Sequence, residues 1–174
     1  AATQPHPLNT TAEANFGATF PNGCHVAEVE IDPVTGAATV ARYTAVDDVG
    51  NVITPFVVEG QVHGGVVQGT GQAFTERAVY DPATGQLLSG SIMDYAMPRA
   101  NLIREMATHD HPVPTKMNAL DAKGVGESGC SGSLPALVNA TVDALRPLGI
   151  THLDMLFTPH RLWQAVHTAQ AQRK

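Results

Sequence analysis

The architecture of this chain is set by the segment His25-Val26-Ala27-Glu28-Val29-Glu30-Ile31, which runs into the turn Asp32-Pro33-Val34-Thr35-Gly36 and then into residues 38–46. Ala27, Val29 and Ile31 share one face of an extended chain, because successive side chains of a strand point to opposite sides. Pro33 presets a turn-forming φ angle and Gly36 accepts a positive φ. This pattern predicts a β-hairpin with one apolar face.

Turn residues of the same kind return at Asp81-Pro82-Ala83-Thr84-Gly85. They predict a second hairpin, which joins residues 78–80 to residues 87–88. Residues 150–157 form another apolar stretch and predict a further strand. Asp47-Asp48, at the end of the first hairpin, is expected to end its strand.

Residues 59–76 have helical spacing but contain five glycines, which are Gly60, Gly64, Gly65, Gly69 and Gly71. The apolar side of this helix carries Val62, Val66 and Ala73. Each interior glycine costs a helix roughly 0.5 to 1 kcal/mol relative to alanine, so close backbone approach is the expected reason for them. Gln61, Gln68 and Gln72 share one stripe. The stripe fits a ligand rich in hydrogen-bonding groups, and it also fits the solvated edge of a glycine-packed core helix.

A further helix is expected over residues 131–148. Ser131 or Ser133 can cap its start, and Pro135 then falls in its first turn. Gly149 is typical of the position that follows a helix end. The inward-facing side chains of this helix are Leu134, Leu137, Val138 and Leu145.

Thr158-Pro159 predicts the start of a final helix, because threonine caps helices and proline is tolerated in their first turn. Trp163 in this helix and Phe157 just before it are expected to anchor the core. Residues 1–22 lack periodicity and predict an extended N-terminal arm, followed by a domain that spans residues 23–174. Hairpins combined with separate helices predict an α+β fold.

The composition excludes several classes of protein. A net charge of -6, with only ten Lys and Arg among 174 residues, argues against a nucleic-acid partner. No apolar run reaches the length of about eighteen residues that a membrane span needs, so we expect no span and a cytoplasmic location. The two cysteines, Cys24 and Cys130, can form neither a disulfide framework nor a four-cysteine metal site.

Gly124-Val125-Gly126-Glu127-Ser128-Gly129 is the motif best suited to chemistry. It matches the G-x-G-x-x-G pattern of dinucleotide-binding proteins, but that pattern needs an apolar strand before its first glycine, and residues 112–123 are broken and polar. The motif instead places the Glu127 carboxylate on a glycine loop at a helix entrance, where backbone amides favour negative charge. Glu127 is a candidate general base, with helix capping as its alternative role.

Three other groups look like functional sites. Residues 109–111, His-Asp-His, could bind a metal, but no third ligand is evident and solvated side chains are expected. Cys130, Ser131 and Ser133 lie in a stretch that resembles a nucleophile elbow, yet the G-x-S-x-G spacing is not met and capping is expected instead. His63, close to Gln61 in sequence, is expected to be a packed or surface imidazole rather than a ligand.

Three separated blocks of sequence support a family resemblance. They are Gln61-Val62-His63-Gly64-Gly65-Val66-Val67-Gln68-Gly69-Thr70-Gly71, Met93-Asp94-Tyr95-Ala96-Met97-Pro98 and Lys123-Gly124-Val125-Gly126-Glu127-Ser128-Gly129. In this order they resemble the C-terminal portion of molybdenum-binding large subunits in the xanthine dehydrogenase, aldehyde oxidase and carbon monoxide dehydrogenase family. The chain departs from many relatives at Val49, where they have Cys, and at Thr54, where they have Asn.

The resemblance implies roles for six residues. It makes Glu127 the catalytic base that deprotonates a water-derived oxygen as this attacks an electron-poor carbon of an aldehyde, an N-heterocycle or a similar small substrate. Gln61 matches the glutamine whose amide hydrogen-bonds the pterin. The loop that lies against the cofactor is matched by Lys123, Gly124, Val125 and Gly126. No side chain is expected to ligate the metal, because the pterin's own sulfurs hold it.

The implied cofactor is molybdopterin with molybdenum, in its cytosine dinucleotide form. The implied partners are the rest of the molybdenum-binding subunit and the subunits or domains that carry iron–sulfur clusters and FAD. Other loops of the family's site precede this portion, so the chain alone is expected to be inactive and to bind no cofactor tightly. The alternatives are a non-catalytic assembly module of such a complex and an NAD-binding domain.

Overall fold

The computed structural model describes residues 8–15 and 17–173, so residues 1–7 and 16 of the predicted arm lie outside the described residues. Within the described part, the chain forms a three-stranded sheet and three α-helices, which confirms the α+β class. In chain order the elements are β1 (Asn22–Ile31), β2 (Ala38–Asp48), α1 (Pro55–Phe74), β3 (Met106–Asp110), α2 (Ser128–Leu145) and α3 (Pro159–Ala171). Short 3-10 turns cover Ala100–Leu102 and Arg146–Leu148.

β1 and β2 pair in antiparallel fashion, which confirms the predicted hairpin. Asp32 shapes the turn, because its carboxylate accepts hydrogen bonds from Val34 N at 2.8 Å and from Thr35 Oγ1 at 2.7 Å. Gly36 has a φ of 73°, in the left-handed region that glycine enters without steric cost. It also lets α3 approach the turn, since a Cβ on Gly36 would lie 2.7 Å from Trp163 N.

β3 runs parallel to β2 and was not predicted. Its register pairs Tyr43 with Met106 and Asp47 with Asp110. The five residues of β3 lack an alternating apolar pattern, and their pairing depends on a long crossover through α1 rather than on a local turn. β2 therefore lies in the middle of the sheet, between β1 and β3, and it ends at Asp48 as expected.

α1 begins at Pro55, four residues before the predicted start at residue 59, and follows the extended Thr54. Proline suits this position, because the first N–H groups of a helix have no partner within it. The predicted apolar side is confirmed, since Val62, Val66 and Ala73 are all buried.

α2 begins three residues before Ser131, so the predicted capping roles of Ser131 and Ser133 are wrong. Pro135, predicted in the first turn, lies inside the helix. Ser133 is fully buried, and its hydroxyl donates to Cys130 O at 3.1 Å. The early start follows from the packing of Gly129 directly against α1, a tertiary contact that outweighs the local capping preference.

Residues 150–157, all described, form an irregular connection, so the strand predicted there is wrong. Their apolar content reflects burial rather than pairing, because Phe157 is 1% exposed and its N–H donates to Ala73 O at 2.8 Å. The second predicted hairpin is reduced to an isolated bridge between Tyr80 and Leu87.

α3 begins as predicted, with the Thr158 side chain accepting a hydrogen bond from Arg161 N at 3.3 Å. The predicted glycine position after α2 is also confirmed, since Gly149 has a φ of 84°. Trp163 is 38% exposed and stacks on His167 with 4.1 Å between ring centroids, so its prediction as a core anchor is wrong. Phe157 does have that role.

The core lies between one face of the sheet and the three helices. Its buried members are Val40, Tyr43, Ala45, Val62, Val66, Ala73, Phe74, Leu137, Leu145, Phe157, Leu162 and Val166. The other face of the sheet is polar and carries exposed ion pairs, such as Arg104 with Glu30 at 2.8 Å. In the described part of the chain, no helix has both the length and the apolar character needed to cross a membrane.

Candidate functional site

The Glu127 loop, defined as residues 123–127, leads directly into α2. Glu127 is exposed and occupies the N-cap position, but its side chain makes no capping hydrogen bond. The carboxylate therefore lies at the helix entrance without satisfying the helix amides. Gly124 and Gly126 are exposed too, and a Cβ on either would meet no other described atom within 4 Å. The open backbone on both sides of Val125 leaves room for a bulky group.

The charge of Glu127 reaches the first turn of α2. The pKa of the Cys130 thiol is raised, chiefly by burial and in addition by the negative charge of Glu127. Because the thiolate is the nucleophilic form of cysteine, this environment suppresses reactivity at Cys130. The likeness of this stretch to a nucleophile elbow therefore has no chemical support in the structure.

An ion pair that is almost completely buried holds the start of the Glu127 loop. Lys123 Nζ lies 2.5 Å from Asp48 Oδ2, and both side chains are 11% exposed. Burial raises the pKa of Asp48, but hydrogen bonds from Lys123, Gly50 N and Val113 N outweigh it and lower that pKa to about 2. The Lys123 ammonium is thus committed to Asp48, and a contact from Lys123 to a cofactor would use its backbone.

Asp48 is a site residue that the sequence analysis missed, because 75 residues separate it from Lys123. The sequence nevertheless contained a signal that pointed to Asp48. Asp47 and Asp48 are consecutive acids at the end of an apolar strand, and a carboxylate buried there needs a partner.

Gln61 and the Glu127 loop both lie next to the point where α1 crosses the start of α2. A Cβ on Gly65 would lie 2.7 Å from Cys130 N, and one on Gly129 would lie 3.1 Å from Gly65 Cα. Both distances fall below the 3.4 Å at which ordinary contact begins, so these glycines permit the close crossing. Gln61 lies about one turn before Gly65, and Glu127 lies just before Gly129. Both predicted site residues therefore flank the crossing.

The outer face of α1 is defined by Gly60, Gln61, Gly64, Gln68 and Gln72, all of which are exposed. A Cβ on Gly60 or Gly64 would meet nothing within 4 Å in the described residues, so packing inside this part of the chain does not explain them. Bare backbone beside exposed amides forms a surface that another molecule can approach closely.

Glu127 also borders a groove of about 590 Å³ between the start of α2 and the beginning of β1. His25 and Asp47 line the same groove and are joined, with His25 Nε2 lying 3.2 Å from Asp47 Oδ1. His25 Nδ1 lies 2.7 Å from Tyr43 Oη, and burial, followed by the charge of Asp47, raises the pKa of Tyr43, so the phenol stays protonated. This network was not predicted, because its members meet only when β1 pairs with β2.

The other candidate groups from the sequence lack the geometry of a functional site in the described residues. His109 and His111 are exposed as expected, and across residues 8–15 and 17–173 no three His, Cys, Asp or Glu side chains are arranged to hold a metal ion. His63 is half-buried, with Nε2 3.5 Å from Thr108 Oγ1, so it is a packed imidazole. The described segment before Gly124 is irregular apart from an isolated bridge, whereas a dinucleotide fold needs a strand there.

Comparison with known proteins agrees with the resemblance seen in the motifs. The chain is 39% identical over 148 residues to the carbon monoxide dehydrogenase large chain of Hydrogenophaga pseudoflava. The matched region covers 85% of this chain and 18% of that protein. It is 40% identical over 146 residues to the nicotine 6-hydroxylase large subunit of Paenarthrobacter nicotinovorans, which covers 84% of this chain and 18% of that protein.

The fold agrees as well. A solved structure of CO dehydrogenase from Oligotropha carboxidovorans superposes with a TM-score of 0.81 and 34% identity, over 87% of this chain and 19% of that chain. The chain thus spans less than a fifth of the length of these relatives. Residues 2–104 match the family described as the molybdopterin cofactor-binding domain. That match extends over more than half of the sequence, and the chain therefore belongs to the molybdopterin cofactor-binding domain family, as a portion of a molybdenum-binding large subunit.

Proposed function

We propose that this chain forms one wall of a molybdopterin site in a larger molybdenum hydroxylase, and that Glu127 is the catalytic base of that site. The observation that carries the proposal is the position of the Glu127 carboxylate. It is exposed at the entrance of α2, makes no capping hydrogen bond and lies at the crossing with the helix that bears Gln61. A general base needs this kind of access, because it has to reach the proton that it removes.

The surroundings of Glu127 fit a bulky cofactor with many polar atoms. Gly124 and Gly126 expose backbone that such a group can approach, and the exposed Gln61 amide can both donate and accept hydrogen bonds. Gln61 and the backbone of residues 123–126 would hold the pterin, while the Lys123 ammonium stays with Asp48. When bound, the cofactor supplies the two-electron oxidation of the substrate.

Glu127 accepts a proton from the water-derived oxygen that adds to an electron-poor carbon of the substrate. The N-terminal amides of α2 attract negative charge, which suits a residue that must work as a carboxylate. The substrate class is an aldehyde, an N-heterocycle or a similar small molecule. The cofactor is the cytosine dinucleotide form, and iron–sulfur and FAD subunits in the cytoplasm take up the electrons. The relatives named as large chains and large subunits support such an assembly.

The substitution Glu127→Gln in the complete enzyme tests the proposal. Glutamine keeps the shape of the side chain but cannot take the proton, so turnover should fall by roughly 10² to 10⁴. Molybdenum and pterin content should remain at the wild-type level, because the pterin contacts are unchanged. Glu28→Gln is the matched control, since Glu28 is exposed on the far face of the sheet in a pair with Arg42. Near-normal turnover of the Glu127→Gln enzyme would show that another group is the base.

A further inference from the structure

The Glu127 loop contains two glycines, Gly124 and Gly126, whose Cβ positions would meet no described atom within 4 Å. Glycine loses more conformational freedom on ordering than any other residue. A carboxylate next to such residues keeps one position only if the loop is fastened on both sides. Catalysis depends on this, because a misplacement of about 1 Å can cost roughly 10²-fold in rate.

The downstream side of the loop is fastened by α2. Ser128 is buried, and both its N–H and its hydroxyl donate to Val125 O, at 3.2 and 2.9 Å. The next residue, Gly129, is wedged against Gly65 of α1. The backbone that immediately follows Glu127 is therefore held in a fixed position.

The upstream side is fastened by Asp48. Its Oδ2 accepts from Lys123 Nζ at 2.5 Å, while its Oδ1 accepts from Gly50 N and Val113 N, each at 2.9 Å. Lys123 N–H donates to Val49 O at 2.8 Å, which ties the backbone of the loop to the end of β2 as well. Asp48 thus joins the central strand of the sheet to the residue at which the Glu127 loop begins.

We infer that Asp48 is a positioning residue for Glu127, and that it acts through the Lys123 ammonium. This inference rests on the proposed function, since it gives the buried ion pair the task of holding the catalytic base in place. The pair also neutralises Lys123, so the charge of the ammonium is directed to the protein interior and not to an anionic cofactor.

Asp48→Asn in the complete enzyme separates positioning from general stability. Asp48 accepts hydrogen bonds from three donors, whereas asparagine offers one acceptor oxygen, so Lys123 loses its partner. We expect kcat to fall about 10²-fold with KM and molybdenum content close to wild type. Amide hydrogen exchange over residues 121–128 should become at least tenfold faster. Glu30→Gln, which breaks an exposed ion pair on the same sheet, should change neither measurement.

The double variant Asp48→Asn with Lys123→Gln provides a rescue. The glutamine amide can accept a hydrogen bond from the asparagine, so the anchor is restored without charge. The kcat of the double variant should be at least tenfold higher than that of Asp48→Asn. Hydrogen exchange over residues 121–128 should return toward the wild-type rate. A single variant with kcat within threefold of wild type, or a double variant no faster than the single, would overturn the inference.

Asp48→Glu and the Glu127→Gln variant described above complete the test. If Asp48→Asn does not fold, Asp48→Glu keeps the charge but moves it by about one methylene, and it should lower kcat while cofactor is retained; unchanged kcat contradicts the inference. Glu127→Gln measured alongside separates the two ideas. If that enzyme keeps its turnover, the proposed function fails; if it is inactive while Asp48→Asn is normal, only the role of Asp48 fails.

Discussion

Replacing Gly65 by alanine tests how closely α1 and α2 must cross. The new Cβ would lie 2.7 Å from Cys130 N and 2.9 Å from Gly129 Cα. Both are backbone atoms, so no side chain can rotate to relieve the contact. Ordinary contact begins at 3.4 Å, and the two helices therefore have to separate locally by roughly 0.5 to 0.7 Å, a gap that forfeits about a quarter of the dispersion energy of each atom pair across it.

The magnitude follows from two opposing effects. Overpacking costs roughly 1 to 3 kcal/mol, whereas alanine in a helix interior gains about 1 kcal/mol over glycine. Because the new Cβ meets only backbone atoms, the cost falls in the upper part of that range, at about 2 to 3 kcal/mol. The net expectation for Gly65→Ala is then a loss of about 1 to 2 kcal/mol, which lowers Tm by roughly 2 to 8 °C in a protein of this size. Gly64→Ala is the matched control on the same helix. With nothing within 4 Å of its Cβ in the described residues, it should raise Tm by roughly 2 to 4 °C.

The assay is thermal unfolding of the 174-residue chain, followed by far-ultraviolet circular dichroism for wild type and both variants in one buffer. Opposite shifts are expected from two neighbouring residues with the same intrinsic helix preference. If Gly65→Ala melts at or above the wild-type temperature, the crossing is not tight. Equal shifts for the two variants would mean that helix propensity alone accounts for the change.

Two more predictions concern stability. Phe157→Ala should cost about 3 to 5 kcal/mol in urea unfolding, because its ring is fully buried, and Trp163→Ala should cost less than half as much since that ring is partly exposed; equal losses would contradict the described packing. Asp48 has a pKa of about 2 when folded against 3.8 when unfolded, so its stabilisation is complete above about pH 4 and is lost as pH falls toward 2. Asp48→Asn should make the free energy of unfolding depend less on pH between about pH 4 and pH 2. If wild type and variant show the same pH dependence there, the lowered pKa is contradicted.

Local patterns predicted local structure well. The β1–β2 hairpin was predicted because its two strands and its turn are adjacent in sequence, and the Thr158 cap was predicted because the hydrogen bond spans three residues. β3 was missed because its partner strand lies some sixty residues away and its own side chains do not alternate. Residues 150–157 were assigned a strand because burial, which does place Phe157 in the core, gives the same apolar pattern as pairing.

Some residues of the candidate site could be proposed from the sequence. Gln61 and Glu127 could be named from their motifs, since each lies in a glycine-rich block that resembles a known family. Their placement beside one helix crossing depends on the close approach of Gly65 and Gly129, which no single motif encodes. The consecutive acids Asp47 and Asp48 indicated that a buried carboxylate needs a partner, but its pairing with Lys123 in particular is decided only by the completed fold.

The glycine-packed crossing also sets the order in which the domain can mature on the ribosome. α1 is complete at Phe74, but the helix that covers its apolar side ends only at Leu145. About 70 residues must be translated between them, which takes roughly 4 to 14 s at 5 to 20 residues per second. With five interior glycines, α1 is a weak helix by itself, so this segment of the nascent chain stays largely unfolded until α2 emerges. A chain stalled in that interval exposes Val62 and Val66, and it is the form of this protein that a chaperone would bind.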